Sequence, residues 1–195
     1  MGMNYLAHLH LATLADSSLL GNLMADYVRG NPRNDWPDAV AEGILLHRRI
    51  DAMTDALPEV RAAKAFFRDE TRRVAPITLD VIWDHFLSLN WGRLHPDRPL
   101  SEFLTLAEDE ITPHLAGTPE RFQSLNRYLW RERWMERYAD PAWLERVLNG
   151  MASSRPRLAA LAPSYYDFID NYQTFSDYFW QLYPRMMELA SQKAL

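Results

Sequence analysis

Between its twelve prolines the chain sets apolar residues three and four positions apart, the spacing of one helix face, in stretch after stretch. Residues 37–55, 58–73, 76–91, 99–112, 119–138, 141–151 and 163–191 carry the pattern, and several begin with proline at or near the first turn, where its missing N–H costs nothing. Alternating runs of Val, Ile and Thr are nearly absent, which argues against a sheet and predicts an all-α fold. Only NYLAHLHLA alternates strictly enough to be read as a strand; with no partner strand it is taken as an irregular or helical lead-in. Apart from 30–37, no linker, charge block or internal period divides the 195 residues, so residues 1–195 are read as one domain. That length removes roughly 70% of the unfolded-chain surface from water without any staple.

Zero cysteines exclude disulfide scaffolds, thiolate zinc sites, iron–sulfur clusters and cysteine nucleophiles together. A metal must then be held by His, Asp or Glu. The net charge of −5 opposes nucleic acid as a partner. No apolar run approaches the roughly 20 residues of a membrane span, and the N-terminus lacks the basic start of a secretory signal, so a cytoplasmic protein without membrane partners is expected. Only Lys64 and Lys193 of the 21 basic residues are lysine, a bias toward guanidinium forks that suit carboxylate and phosphate, or a mark of genome composition.

Three stretches offer chemistry. In GILLHRRIDAMTD, His47, Asp51 and Asp55 follow at intervals of four and drift only about 40° per step along one face, while Ile44, Leu45, Leu46, Ile50 and Met53 fill much of the rest. This polar stripe needs other polar groups or an ion, or else is a His–Asp pair with carboxylates met by Arg48 and Arg49. In DVIWDHFLS, Asp80 and Asp84 lie one turn apart and His85 adjoins Asp84 amid Val81, Ile82, Trp83, Phe86 and Leu87. A carboxylate in such a setting requires a strong partner; a divalent cation serves, and a His85 bonded within the core is the alternative. In GNLMADYVR, Asn22, Asp26 and Arg29 share a face. His8 and His10 would point about 200° apart on a helix, so at most one faces such a site. His95, in HPDRP, and His114, after Pro113, read as surface residues.

Several helices thus each offer an aspartate or histidine, and four to six N/O ligands without thiolate suit Mn²⁺, Mg²⁺ or Fe²⁺ better than structural zinc. Metal-assisted phosphoester hydrolysis is the natural chemistry of such a centre. The G-x-S-x-G, Walker A and G-x-G-x-x-G signatures are missing.

The strings NYLAHLHLA, GNLMADYVRG, GILLHRRIDAMTD, APITLDVIWDHFLS, NGMASSRPRL and YPRMM resemble the bacterial acyl carrier protein phosphodiesterase family over nearly the whole chain. The resemblance implies a divergent HD-type metal-dependent phosphohydrolase. It would cleave the phosphodiester that joins 4′-phosphopantetheine to a serine of holo acyl carrier protein, with a divalent cation, usually Mn²⁺. HD enzymes run His, His-Asp, Asp, whereas this chain runs Asp26, His47, Asp84-His85. A permuted arrangement makes these four residues the metal ligands, with His8 and Asp51 as possible replacements. His8 or Asp51 would then protonate the leaving alkoxide, and Arg48 or Arg49 would neutralise the phosphate.

For an acidic carrier protein the stretch 58–73 offers Arg61, Lys64, Arg68 and Arg72 as a basic stripe on one helix face, unless Asp69 and Glu70 pair with it. Arg127 to Arg137 is a second, weaker candidate. Two other functions compete: a helical metalloenzyme acting on diphosphates through the D-x-x-x-D pairs Asp51/Asp55 and Asp80/Asp84, and a non-catalytic helical binding module.

Overall fold

In the computed structural model, which describes residues 2–195, every regular element among the described residues is helical. The chain runs α1 (Tyr5–Leu14), α2 (Leu19–Met24), α3 (Asp38–Asp55), α4 (Pro58–Lys64), α5 (Asp69–Arg72), α6 (Ala75–Leu89), α7 (Trp91–Leu94), α8 (Leu100–Ile111), α9 (Glu120–Leu129), α10 (Trp134–Arg137), α11 (Pro141–Ser154), α12 (Leu161–Asp170) and α13 (Tyr172–Ser191). Proline starts many of them: Pro37, Pro99 and Pro119 stand at N-caps, and Pro58 and Pro141 open α4 and α11.

Two interior helices organise the rest. Helix α6 is buried from Thr78 to Ser88, and α1 from Leu6 to Ala12, so neither keeps a polar face toward water. That explains why NYLAHLHLA looked like a strand. A helix apolar all round shows no 3.6-residue period, and His8 and His10 are themselves buried. Trp83 and Phe86 pack with Phe168, Phe175, Phe179 and Tyr183 in a core drawing on both ends of the chain, each such side chain contributing about 1.5–3 kcal/mol by leaving water.

Three expected helices are broken. The 58–73 stretch divides at 65–68, where Phe67 turns into the core and Arg68 caps α5. Residues 119–138 divide before Arg133, whose φ of 55° is left-handed. Residues 163–191 divide at Asn171, whose amide donates to the Asp167 carbonyl at 2.9 Å.

One close approach positions the site. Helices α2 and α3 cross through Gly21 and Gly43: a Cβ on Gly21 would lie 2.3 Å from the Val40 carbonyl oxygen, and one on Gly43 2.9 Å from that of Ser18. Only glycine lets these backbones touch, which brings the end of α2 against His47 on α3.

Candidate metal centre

His47 projects from the middle of α3 toward the last turn of α2, and its Nδ1 donates to the Asn22 carbonyl at 2.6 Å. That bond fixes the tautomer and aims Nε2 outward. Nε2 then lies 3.2 Å from Asp26 Oδ1 and 3.3 Å from Asp51 Oδ2, yet it makes no well-directed hydrogen bond with either. Asp51 sits one turn beyond His47, and its Oδ1 accepts from His8 Nε2 at 2.9 Å and from the Met3 N–H at 3.2 Å. The His8 and His47 rings stack at 3.5 Å, 9° from parallel, so α1 and α3 meet through their histidines.

The electrostatics follow from this geometry. Burial pulls the His47 pKa down, but Asp26 and Asp51 outweigh it and raise it to about 9. Burial, then the His47 charge, lowers that of His8. The His47 ring lowers Asp26, which is largely exposed; burial would raise Asp51, but both histidines hold it below the usual carboxylate range. Two carboxylates thus converge on one imidazole nitrogen, which repels them unless a proton or a cation stands between.

The residues fit a metal ion. One donor atom each from His8, His47 and Asp51 lies within 4.8 Å of the others, a separation that ligand bonds of about 2.0–2.3 Å can span. Asp26 adds a fourth residue and a second carboxylate, 3.2 Å from His47 Nε2. The buried atoms His8 Nδ1, His47 Nε2 and Asn22 Oδ1 have no hydrogen-bond partner, a condition that buried polar atoms seldom tolerate without an ion or water. A void of about 10 Å³ adjoins them, the room of roughly one small guest.

Of the expected ligands the structure brings Asp26 and His47 together, with His8 and Asp51 beside them, but not Asp84 and His85. The Asp84 carboxylate accepts from the backbone N–H groups of Leu6 and Ala7 at 2.8 and 2.9 Å, so it caps the first turn of α1 from across the core. Burial raises its pKa to about 7, against the pull of these two amides. His85 Nδ1 pairs with the Tyr138 carbonyl and Nε2 with the Tyr172 hydroxyl, both at 2.7 Å. The strong partner that this doublet needs is thus backbone and a phenol.

Arg48 and Arg49 also point elsewhere. Arg48 donates to the carbonyls of Gly30 and Val28, and Arg49 to that of Leu195. The basic stripe is interrupted by the break after Lys64. Arg68 binds Asp167 Oδ1 at 2.9 Å and the Pro163 carbonyl, and Arg72 binds Asp69 and the Phe67 carbonyl. His95 is a half-buried residue, not a surface one, 3.3 Å from Nε2 of His10, whose Nδ1 meets the Tyr183 hydroxyl; His114 is exposed as expected. Asn22 enters the sequence reading only as a neighbour of Asp26 on one face. Its orienting carbonyl is a backbone group, which residue types do not reveal.

Comparison with known proteins covers nearly the whole chain. The family model described as acyl carrier protein phosphodiesterase matches residues 3–186. The chain is 60% identical over 193 residues to the acyl carrier protein phosphodiesterase of Klebsiella pneumoniae strain 342, and 58% identical to those of Pectobacterium atrosepticum and Serratia proteamaculans. Each alignment covers 99% of this chain and 100% of the relative. No solved structure matches the chain. Matched across nearly its whole length, the chain belongs to the acyl carrier protein phosphodiesterase family.

Proposed function

We propose that this chain hydrolyses the phosphodiester between 4′-phosphopantetheine and the serine of holo acyl carrier protein, releasing apo carrier protein and 4′-phosphopantetheine. It would do so in the cytoplasm, at a divalent cation held by His8, Asp26, His47 and Asp51, with Mn²⁺ the first choice and Mg²⁺ or Fe²⁺ next. The observation that carries this reading is His47 Nε2, buried, unpaired and faced by two carboxylates in a chain of this family. A cation there supplies Lewis acidity toward the phosphoryl oxygens and lowers the pKa of the attacking water.

The protein's own groups do the rest. The Asn22 carbonyl holds the Nδ1 proton of His47 and so keeps Nε2 aimed at the centre. Asp51 holds the Nε2 proton of His8 and fixes that ring against His47. Asp26, with its carboxylate in solvent, marks the side from which a protein-borne phosphodiester arrives. Leu23 and Met3 line the inner side and limit water there.

The test is incubation with holo acyl carrier protein and each cation, followed by intact-mass analysis. Loss of the mass of the phosphopantetheine arm is expected with Mn²⁺ and none in excess chelator. An unchanged carrier mass with all three cations rejects the function.

A further inference from the structure

Beyond the first turn of α1 opens a cavity of about 530 Å³ between that turn, α6 and α11. Ile77, Val81, Trp134, Val147 and Met151 give it apolar walls. Asn4, Tyr5, Tyr138, Arg146 and Ser154 line it as well, and Asp80 and Trp143 reach it from α6 and α11. Asp80 is 8% exposed. The indole Nε1–H of Trp143 is buried without a partner. A buried donor left unmatched costs stability, and the cost is recovered when a guest supplies an acceptor. A secondary amide does so, its N–H to the carboxyl and its carbonyl to the indole. Burial, then the charges of nearby carboxylates, raises the Asp80 pKa, but the carboxyl accepts an amide N–H in either protonation state.

The cavity also adjoins the candidate centre: Asn4 and Tyr5 line both it and the void beside His8 and His47. A phosphodiester at the histidines therefore has, beyond Asn4 and Tyr5, a chamber for whatever its non-protein side carries. We propose that this cavity receives the pantetheine arm of the carrier protein, with the arm's amides bonded to Asp80 and to the Trp143 indole N–H. The assignment rests on the hydrolase reading above and names where the same substrate's second half lies. A gem-dimethyl group and methylene links suit the apolar walls, and the amides suit the indole N–H and the Asp80 carboxyl.

The experiment compares apo and holo acyl carrier protein, which differ only in the arm, as ligands of the full chain in excess chelator, read by calorimetry. Gly150 supplies the probe: it lies on the α11 wall of the cavity, and a Cβ there meets nothing within 4 Å, so Gly150→Phe adds bulk without a backbone clash. The wild-type chain should bind holo at least about tenfold more tightly than apo carrier protein. Gly150→Phe should bring that ratio below about threefold with the apo affinity unchanged, and Trp143→Phe, which keeps a ring but lacks the N–H, should lower the ratio less. Equal wild-type affinities for holo and apo, or a ratio that survives Gly150→Phe, overturn the cavity assignment. The mass assay keeps the two readings apart. Arm release by wild type with an intact ratio in Gly150→Phe retains the hydrolase and rejects the cavity; no release together with a cavity-dependent ratio does the reverse.

Discussion

Two histidine–aspartate groups lie in apolar surroundings, and only one of them is complete. Asp84 and His85 on α6 have each polar atom matched, by two amide hydrogens of α1, the Tyr138 carbonyl and the Tyr172 hydroxyl. The cluster of His8, Asp26, His47 and Asp51 leaves His8 Nδ1 and His47 Nε2 buried without partners and sets two carboxylates around one nitrogen. The same residue types therefore build a clamp in one place and a candidate coordination set in the other. What separates them is backbone, because α1 delivers its unpaired N–H groups to Asp84 and none to Asp26.

The sharpest way to break this contrast is to substitute both groups. His47→Ala or Asp51→Ala should lower Mn²⁺-dependent hydrolysis by at least about 10³-fold and abolish stoichiometric Mn²⁺ in elemental analysis, while the chain still unfolds in one cooperative transition. A variant that keeps turnover and metal moves the centre elsewhere.

Asp84→Ala should have the opposite profile. It strands two buried amide hydrogens at about 1–3 kcal/mol each, which for a chain of this size lowers the melting temperature by about 5–15 °C. Below that temperature Mn²⁺ should still bind one to one. Loss of metal without loss of stability would make the α6 doublet a ligand after all.

Protons sharpen the contrast further. The folded pKa of His47, about 9, stands above its ordinary 6.5, so in metal-free protein its proton stabilises the fold fully below pH 6.5, and this contribution fades as pH rises through 9. The same proton must leave before a cation binds. Mn²⁺ affinity, measured by calorimetry, should therefore climb between pH 6.5 and 8.5 by up to about tenfold per unit, while the melting temperature of the metal-free chain falls. Affinity flat over that range excludes His47 as a ligand.

The smallest effect is expected at the surface. Arg61→Glu with Lys64→Glu, on the intact part of the basic stretch, should raise KM for the carrier protein by roughly two- to fivefold at low salt with kcat unchanged. Arg68→Ala should act on stability instead, because it ties α5 to Asp167 and Pro163. A KM unmoved by the double reversal and by salt places docking elsewhere.

The helical class was legible because proline and three-four spacing are local signals. The breaks at 65–68, 130–133 and 171 were not: at the first the Asp167 carboxylate of a distant helix accepts from the Arg68 N–H, the second holds the left-handed Arg133, and at the third the Asn171 side chain bonds back to the Asp167 carbonyl, none of which periodicity reveals. Of the candidate centre, His47 and Asp51 were visible through their spacing and polar stripe, whereas Asp26 entered the ligand set through the family resemblance. His8 could be named but not placed, since a helix buried on every side hides its orientation. Asp84 misled because its need for a partner was read correctly, whereas the partner, an amide pair 77 and 78 residues away, has no side chain to read.

That clamp has a consequence for the order of assembly. Helix α1 leaves the ribosome before α3 and α6, but its leading amides wait for Asp84 on α6 and its histidine waits for α3. Such distant contacts close after local ones have formed, so this earlier helix is seated late. Until α3 has emerged His8 has no cluster to join, and without α1 in place the proposed centre offers a cation only its α2–α3 half. On that proposal a complete ligand set is a mark of a folded core.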